Sequence, residues 1–470
     1  MAKSGRLVPS SAVLAMVLFA STSAVPRTAH AAPAISAPNI VIILADDQRW
    51  DTLRLMPHVR QDLMAPGVTF DNAFVENSLC CPSRSAILTG NDSHTTGIFT
   101  NVPPYGGYPV FHARGEESST IATWLHGAGY RTALAGKYLN GYTGILDIPP
   151  GWDRWAAFSS SPLAYYNYTL NVDGSMTTFG GAPSDYSTDV LAGYAIDAIR
   201  STPQSQPAFV YFAPFAPHAP SIPAVRDIGS VLAPPSRWPP NFNEKNVTDK
   251  PRYVRKRKPA STKEMSAQIV NTVESLGALD NAVHDIVQAL SDTNRLSNSI
   301  VIFTSDNGFM FGEHRFVGKE APYDESIRVP MVVRYDRVVA AAGSRDARLV
   351  MNTDIAPTLA SAAGLTPPPT DGMSFLPLLQ GAGAALRGSM LIEHLADNWV
   401  GTPPSYCALR TPVRMFVRYS DGFEELYNLV KDPYELTNRA RDHAYRAVVI
   451  RLRAKLRSMC TPRPPGMPPF

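Results

Sequence analysis

The sequence lacks a marked excess of charge of either sign. It has 43 lysines and arginines against 40 aspartates and glutamates, so its composition indicates no bulk attraction to nucleic acid or to a membrane surface. It also lacks an apolar run long enough to cross a bilayer. No internal repeat is visible. A chain of 470 residues can bury a large core, and we expect one large domain with a smaller second one.

Cysteine is scarce, with 4 residues in the whole chain. Cys407 and Cys460 lie in the C-terminal part and can form a disulfide in an oxidising compartment. Cys80 and Cys81 are adjacent, and an adjacent pair makes a strained, unusual bridge. The pattern therefore fits one structural bridge plus two cysteines kept for another purpose, although two free structural thiols are the alternative.

The N-terminal segment has the composition of a signal peptide. Lys3 and Arg6 form a basic region, Ala12 to Ala20 form an apolar region, and Ala29-His30-Ala31 is a small-residue cleavage site. We therefore predict a signal peptide over residues 1–31 and a secreted protein without a stable membrane anchor. A retained anchor is the alternative, and the shortness of the apolar run speaks against it.

Continuous apolar runs predict strands that are buried on both faces of a sheet. Helical periodicity falls between these runs, most clearly in 276–290. Strands that alternate with helices argue for a doubly wound α/β sheet. The predicted strands are Asn39–Leu44, Arg131–Ala135, Ala208–Phe212, Ile300–Thr304 and Val329–Val333, and the shorter predicted helices are Ser119–His126 and Asp354–Ala363.

The composition shifts after Thr366-Pro367-Pro368-Pro369, which we take as a domain boundary. We predict a catalytic domain over 36–365 and a C-terminal subdomain over 366–470, with strands in 408–419 and a basic helix in 445–459. The segment Pro234–Ala260 is proline-rich and then basic, so we expect a long surface loop. Its basic end is either a rim that attracts an anionic substrate or an ordinary solvated face.

The run Leu79–Gly90 predicts a short helix whose first turn forms part of a reactive site. Pro82 suits the first helical position, and Gly90 suits the residue just past the end. A side chain at a helix N-terminus meets unpaired N–H groups and the positive end of the dipole, which favour an anion. Arg84 adds a guanidinium that can fork onto a tetrahedral oxyanion. We therefore interpret Cys80 as a nucleophile that faces a sulfate or phosphate group rather than as half of a buried cysteine pair.

Acidic residues follow two of the predicted strands. Asp46 and Asp47 come after the first, and Asp306 and Asn307 come after 300–304. Sites in open α/β sheets form beyond the carboxyl ends of strands, so these residues can converge there. Three carboxylates and one amide oxygen suit Ca²⁺, with Mg²⁺ as the alternative, and do not suit zinc. An aspartate after a strand is also common as a cap or turn residue.

The pattern Cys-x-Pro-x-Arg, followed by Thr-Gly, resembles the signature of type I sulfatases. The double cysteine resembles the N-acetylglucosamine-6-sulfatase and arylsulfatase branch, and the segments 424–429 and 432–436 resemble the C-terminal sulfatase subdomain. The resemblance implies an α/β fold of the alkaline-phosphatase type, a doubly wound mixed sheet flanked by helices with a smaller C-terminal α+β subdomain. It also implies that a formylglycine-generating enzyme oxidises Cys80 to Cα-formylglycine, an aldehyde, whereas Cys81 holds a variable position.

The resemblance assigns roles to residues of this sequence. Many sulfatases carry a histidine two residues after the first active-site lysine, but this chain has Leu139 there, and Asn140 either supplies that hydrogen bond or leaves it absent. The implied residues are Cys80, Arg84, Lys137, His218 and Lys319 for catalysis, Asn140 and His314 for substrate binding, and Asp46, Asp47, Cys80, Asp306 and Asn307 for the metal.

The implied activity is a secreted, calcium-dependent sulfatase. The hydrated aldehyde at position 80 would attack sulfur, His218 or Lys319 would protonate the leaving oxygen, and the second hydroxyl would then expel sulfate. Substrates could be sulfated sugars such as glucosamine 6-sulfate, or aryl sulfates. Two alternatives stand beside it: a phosphonate or phosphate monoester hydrolase of the same superfamily, and a catalytically silent protein that binds sulfated glycans.

Overall fold

The computed structural model describes residues 1, 2, 5, 37–231, 237–381, 383–397 and 401–469. The signal peptide predicted over residues 1–31 lies outside the described residues, apart from Met1, Ala2 and Gly5. Residues Ala37–Phe470 form one compact unit, and the boundary predicted at 366 stays a prediction. None of the described helices is both long enough and apolar enough to cross a membrane.

The first apolar run forms β1, the centre of a mixed sheet. Its residues alternate between two hydrophobic cores, because Ile40, Ile42 and Leu44 pack on one face of the sheet and Val41 and Ile43 on the other. A strand that is buried on both faces has no polar alternation, which is why the run is continuously apolar. The strands are β1 (Asn39–Ala45), β2 (Val68–Phe74), β3 (Arg131–Gly136), β4 (Arg154–Phe158), β5 (Tyr168–Val172), β6 (Ser175–Phe179), β7 (Ala208–Ala213), β8 (Ser299–Ser305), β9 (Met310–Phe311), β10 (Val317–Gly318), β11 (Met331–Arg334), β12 (Ser344–Met351), β13 (Met390–His394), β14 (Tyr406–Thr411), β15 (Arg414–Tyr419) and β16 (Glu424–Asn428).

The main sheet has ten strands in the order β12-β2-β11-β8-β1-β7-β3-β4-β5-β6. The central pairs β1 with β7, β1 with β8, and β3 with β7 are parallel, whereas β11, β5 and the edge strand β6 run antiparallel to their neighbours. The predicted doubly wound mixed sheet is thereby confirmed. Strands β2, β4, β5, β6 and β12 were not predicted from the sequence.

The shorter predicted helices are confirmed with small shifts at their ends, whereas the helix predicted in 276–290 begins well before that stretch, at Thr262. The periodic stretch 276–290 is the second half of α7, which buries one face against the sheet through Leu279, Val283 and Ile286. The helices are α1 (Cys80–Thr89), α2 (Ser93–Thr96), α3 (Tyr108–Ala113), α4 (Ile121–Gly127), α5 (Ser187–Ser201), α6 (Arg252–Arg255), α7 (Thr262–Asp292), α8 (Asp324–Ile327), α9 (Ile355–Ala362), α10 (Leu376–Leu379) and α11 (Arg446–Met459).

The C-terminal part contains a second sheet, β13-β14-β15-β16, which is antiparallel throughout. Helix α11 covers one face of it, where Leu452 and Leu456 join the core around Phe416. Cys407 and Cys460 form a disulfide between β14 and the end of α11. The expected α+β subdomain and its bridge are therefore both present in the structure.

The prediction that Pro234–Ala260 forms a long surface loop is partly wrong. Residues 234–236 lie outside the described part, and the remainder contains helix α6 and several buried side chains. Asn241, Lys250 and Val254 are fully buried. Lys250 donates a hydrogen bond to the carbonyl of Leu436 at 2.8 Å. This lysine therefore does not face solvent, and it connects the segment to the C-terminal part of the chain.

Candidate active site

Strands β1 and β8 bring the two acidic clusters together. Ala45 and Ser305 are paired in register, so the residues that follow them emerge side by side. Asp47 has a φ of 66°, a left-handed conformation that aspartate tolerates better than most residues, and its backbone N–H donates to Asp306 Oδ1 at 3.1 Å. The carboxyl edge of the sheet therefore carries Asp46, Asp47, Asp306 and Asn307 in one buried cluster, as predicted.

Helix α1 places position 80 against this cluster. The helix begins at Cys80 and not at Pro82, which is its third residue. The first i to i−4 hydrogen bond runs from Ser83 N–H to the Leu79 carbonyl, so Pro82 still lies where an N–H has no partner in the helix. Gly90 ends the helix in the predicted left-handed conformation, with a φ of 75°.

Cys80 is buried between a cation and a carboxylate. Lys319 Nζ lies 2.8 Å from its Sγ, and Asp46 Oδ1 lies 3.7 Å from it. Burial raises the pKa of the Cys80 thiol to about 12, although Lys137 and Lys319 act in the opposite direction. An unmodified thiol at this position is therefore protonated at neutral pH and is a weak nucleophile.

Two lysines pair with the carboxylates that directly follow β1. Lys137 Nζ donates to Asp46 Oδ2 at 2.6 Å, and Lys319 Nζ donates to Asp47 Oδ1 at 2.5 Å. Lys137 follows Gly136, where a Cβ would lie 2.0 Å from the Ala213 carbonyl oxygen, so only glycine lets β3 approach β7 this closely. Burial works to raise the pKa of Asp46, but Lys137, His218 and Arg84 outweigh it and lower that pKa to about 2.

Arg84 is completely buried under the cluster. Its Nε donates to Asp306 Oδ2 at 2.8 Å, one terminal nitrogen donates to the Lys137 carbonyl at 2.8 Å, and the other lies 3.4 Å from Asp46 Oδ2. This fork joins α1, β1, β3 and β8. In the structure Arg84 therefore holds the carboxylates in place.

His218 reaches the cluster from the loop after β7. Its Nε2 lies 3.5 Å from Asp47 Oδ2, and its Nδ1 lies 2.6 Å from the Ala219 carbonyl oxygen. A carbonyl can only accept, so Nδ1 carries the proton of the neutral ring and Nε2 is free to exchange one. The side chain is 28% exposed, which is more than for Arg84, Lys137 or Lys319.

The donor set fits a hard divalent cation. Asp46, Asp47, Asp306 and Asn307 are all buried, and Asn307 Oδ1 has no hydrogen-bond partner among the described residues. Asp46, Asp47, Cys80 and His218 each offer an atom that lies within 4.8 Å of the others. Oxygen donors of this kind suit Ca²⁺ or Mg²⁺.

A cavity of about 690 Å³ opens beside the cluster, lined by Lys137, Asn140, Tyr165 and His218 among others. Asn140 Oδ1 is buried at the cavity wall and has no hydrogen-bond partner within the described structure. The wall also carries Tyr166 and Phe215, so it combines apolar rings with a few polar groups. This composition is typical of a small-molecule site.

His314 is not joined to the cluster by any hydrogen bond or ion pair of the described residues. Its Nδ1 lies 2.6 Å from Glu244 Oε2, and its ring stacks on Tyr323 with centroids 4.1 Å apart. Burial lowers its pKa. The structure thus places His314 in a buried pair with Glu244, and its predicted contact with substrate stays a prediction.

Sequence reasoning missed three residues that shape the site. Asn101 Oδ1 accepts the Cys81 N–H at 2.8 Å, Ser305 Oγ accepts the Gln48 N–H at 2.8 Å, and the Tyr165 hydroxyl donates to the His218 carbonyl at 2.7 Å. Asn101 and Tyr165 lie in loops with no motif. Ser305 lies between the predicted strand Ile300–Thr304 and Asp306, and that position could have indicated it.

The fold is that of the alkaline-phosphatase-like hydrolases. Within that class, the chain belongs to the sulfatase family, because the family model described as Sulfatase matches residues 38–365. A second model, described as N-sulphoglucosamine sulphohydrolase, C-terminal, matches residues 312–461. The protein is a sulfuric ester hydrolase of the type I sulfatase family.

A curated relative agrees with this assignment, and solved structures share the fold. N-acetylglucosamine-6-sulfatase of Homo sapiens is 31% identical over 454 residues, which cover 86% of this chain and 81% of the relative. A protein solved in complex with its substrate D-glucosamine-2-N,6-O-disulfate has a TM-score of 0.79 at 23% identity, covering 90% of this chain and 98% of its own. Phosphonate monoester hydrolase of Agrobacterium radiobacter has a TM-score of 0.70 at 21% identity, covering 90% and 95%. At these identities the two solved structures show the fold alone.

Proposed function

We propose that this enzyme is a secreted sulfatase that hydrolyses sulfate esters of sugars, with glucosamine 6-sulfate as the leading substrate. The cavity supports this proposal, because it offers space for a sugar and its wall includes Lys137 and His218, which contact the carboxylates Asp46 and Asp47. The curated N-acetylglucosamine-6-sulfatases, to which the chain is similar over most of its length, support the choice of sugar. Aryl sulfates are the second substrate class to be compared.

We further propose that Cys80 is converted to Cα-formylglycine and that Asp46, Asp47, Asp306 and Asn307 hold Ca²⁺. The unpartnered Asn307 Oδ1 and the buried carboxylates support the ion. When bound, the ion supplies positive charge to the nucleophile and to the sulfuryl oxygens. The aldehyde, once hydrated, supplies a hydroxyl nucleophile and a second hydroxyl that later ejects sulfate.

The chain's own residues then have distinct tasks. Lys319 Nζ, 2.8 Å from the Cys80 Sγ, lies where it can donate to the group at position 80 and to a sulfuryl oxygen. Arg84 and Lys137 fix Asp46 and Asp306, so the site needs little rearrangement when charge develops. His218 borders the cavity through a ring whose Nδ1 donates to the Ala219 carbonyl, so in the protonated ring the Nε2–H is the proton that can be given to the leaving oxygen.

The two adjacent cysteines provide the sharpest test. Cys81 is as buried as Cys80, but its backbone N–H bonds Asn101 and its side chain belongs to the hydrophobic core. We expect Cys80→Ser to abolish turnover and to accumulate a sulfated enzyme, whereas Cys81→Ser keeps most of the activity. The mass of the peptide that contains position 80 should be that of the aldehyde in active protein. An unmodified cysteine in fully active enzyme would contradict the proposal.

The substrate is tested with converted enzyme on matched esters. Glucosamine 6-sulfate, an aryl sulfate and the corresponding phosphate esters should be compared by kcat/KM. We expect the sulfated sugar to be the best substrate. A preference for the phosphate esters would favour the phosphonate or phosphate hydrolase alternative, and binding of sulfated sugar without turnover would favour the silent glycan-binding protein. The N-terminal sequence of protein recovered from the medium tests secretion, and we expect it to begin after Ala31.

A further inference from the structure

A second group of metal-ligating side chains lies at the far end of helix α1. The helix has 10 residues, so its last turn is about 15 Å from Cys80. Asp92 and His94 follow it, and Asp371 reaches them from the segment between α9 and α10. These three side chains each offer a ligand atom within 4.8 Å of the other two. None of them belongs to the sulfate site described above.

A buried glutamate orients the imidazole. His94 Nδ1 lies 2.7 Å from Glu393 Oε2, and the same oxygen accepts the His94 backbone N–H at 3.3 Å. Glu393 lies on β13, is completely buried, and its Oε1 has no partner among the described residues. A carboxylate on one ring nitrogen fixes the tautomer and directs the other nitrogen to a metal, which is the usual support of a histidine ligand.

The neighbourhood has more negative than positive charge. Glu76 and Glu393 are completely buried, and Asp92 and Asp371 lie beside them, with the His94 ring hydrogen-bonded to Glu393. Arg387, which lies near Asp92, donates to both oxygens of Asp354 at 2.6 Å. Such crowding is relieved either by a bound cation or by protons that the carboxylates share.

We propose that Asp92, His94 and Asp371 form a second metal site, for a first-row divalent cation such as Zn²⁺. One imidazole and two carboxylates suit such an ion better than Ca²⁺, which prefers oxygen donors alone. Glu393 is the positioning residue of His94. The ion would fasten the end of the helix that bears Cys80 to the segment around Asp371, where Gly372 N–H already donates to the Gly90 carbonyl at 2.9 Å.

The test is zinc binding by the full chain, with the sulfate site saturated with Ca²⁺. Chelator-treated protein is titrated with Zn²⁺ by calorimetry, and bound zinc is counted after dialysis. Asp371→Asn is the informative variant, because the amide oxygen can still accept the Asp92 N–H that Asp371 accepts at 3.0 Å. We expect this variant to lose one zinc equivalent and to keep its sulfatase activity. The matched control is Asp197→Asn, which changes an exposed carboxylate that pairs with Arg154, and it should bind zinc like the parent.

A second variant tests the positioning role. Glu393→Gln leaves all three ligands in place, and we expect zinc affinity to fall about 10- to 100-fold, the usual effect of losing the partner of a histidine ligand. Zinc should also raise the melting temperature of the parent and not that of Asp371→Asn. Equal zinc stoichiometry in the parent and Asp371→Asn would overturn the proposal. So would a parent protein that takes up no zinc, since the carboxylates would then be shown to share protons.

Discussion

Replacing Arg84 by lysine should reveal how much the buried guanidinium holds the site together. Lysine keeps the positive charge but offers one compact ammonium in place of a planar fork. Arg84 makes three contacts, to Asp306, to the Lys137 carbonyl and to Asp46, and none of its surface is exposed. A single ammonium group cannot make all three contacts from one point.

The expected loss follows from those contacts. The contacts to Asp306 and to the Lys137 carbonyl are hydrogen bonds of a charged group, each of which contributes about 1.5 to 3 kcal/mol, whereas the nitrogen 3.4 Å from Asp46 makes an ion pair and no hydrogen bond. Losing one of the hydrogen bonds together with this ion pair lowers the free energy of unfolding by about 2 to 3 kcal/mol. Arg154 provides the matched control, because it pairs with Asp173 and Asp197 at the surface with 31% of its side chain exposed. Exposed ion pairs contribute about 0 to 1 kcal/mol, so Arg154→Lys should change the free energy of unfolding by less than about 1 kcal/mol.

Urea denaturation in the presence of a chelator measures both variants without a contribution from bound metal. Sulfatase kinetics with Ca²⁺ then report the site, where we expect Arg84→Lys to lower kcat by at least 100-fold and Arg154→Lys to leave it unchanged. Equal stability losses in the two variants would refute the reasoning. Full activity in Arg84→Lys would also refute it, because the site would then tolerate displaced carboxylates.

Three further predictions concern the disulfide, a buried histidine and the cavity wall. The disulfide Cys407–Cys460 closes a loop with a sequence separation of 53, so Cys460→Ala should lower the free energy of unfolding by about 4 kcal/mol in urea denaturation, and an unchanged midpoint would contradict this. Burial lowers the pKa of His394 from 6.5 to about 4, so the unfolded chain takes up the proton first and stability falls as the pH drops from 6.5 to 4. The full effect is about 3 kcal/mol, and His394→Gln, which keeps a donor for the Pro403 carbonyl, should lose that pH dependence when unfolding is compared at pH 7.5 and pH 4. Asn140→Ala should lower kcat/KM for the sulfated sugar about 10-fold with little change for a small aryl sulfate, and equal losses on both would argue against a sugar contact.

The central strands and the acidic cluster could be predicted from the sequence because both depend on local pattern. A continuous apolar run can only be buried on two faces, and the residue after a parallel strand must emerge at the carboxyl edge of the sheet. That reasoning found Asp46 and Asp306, whose strands pair in register although they are about 260 residues apart. Strands β5 and β6 gave no such signal, because each has 5 residues and neither contains a continuous apolar run.

The lysines and His218 could be assigned only through the resemblance. Lys319 approaches Cys80 across 239 positions, and no periodicity connects a loop lysine to a helix start. For Lys250 the sequence pattern was misleading. A basic stretch is expected to be exposed to solvent, but this lysine is fully buried beside Glu244. Charge pattern indicates which residues can pair, but the tertiary fold decides which of them are brought together.

The charge balance of the site explains why so many cations surround the carboxylate cluster. Asp46, Asp47 and Asp306 carry three negative charges, and Lys137, Lys319 and Arg84 carry three positive ones, so the described residues already neutralise one another. A divalent cation held by the same carboxylates therefore leaves the pocket with a net positive charge. That excess is available to an anionic sulfate ester and to the charge that develops on its oxygens. A site with the carboxylates and the ion but without the two lysines and Arg84 would be negative overall and would repel its substrate.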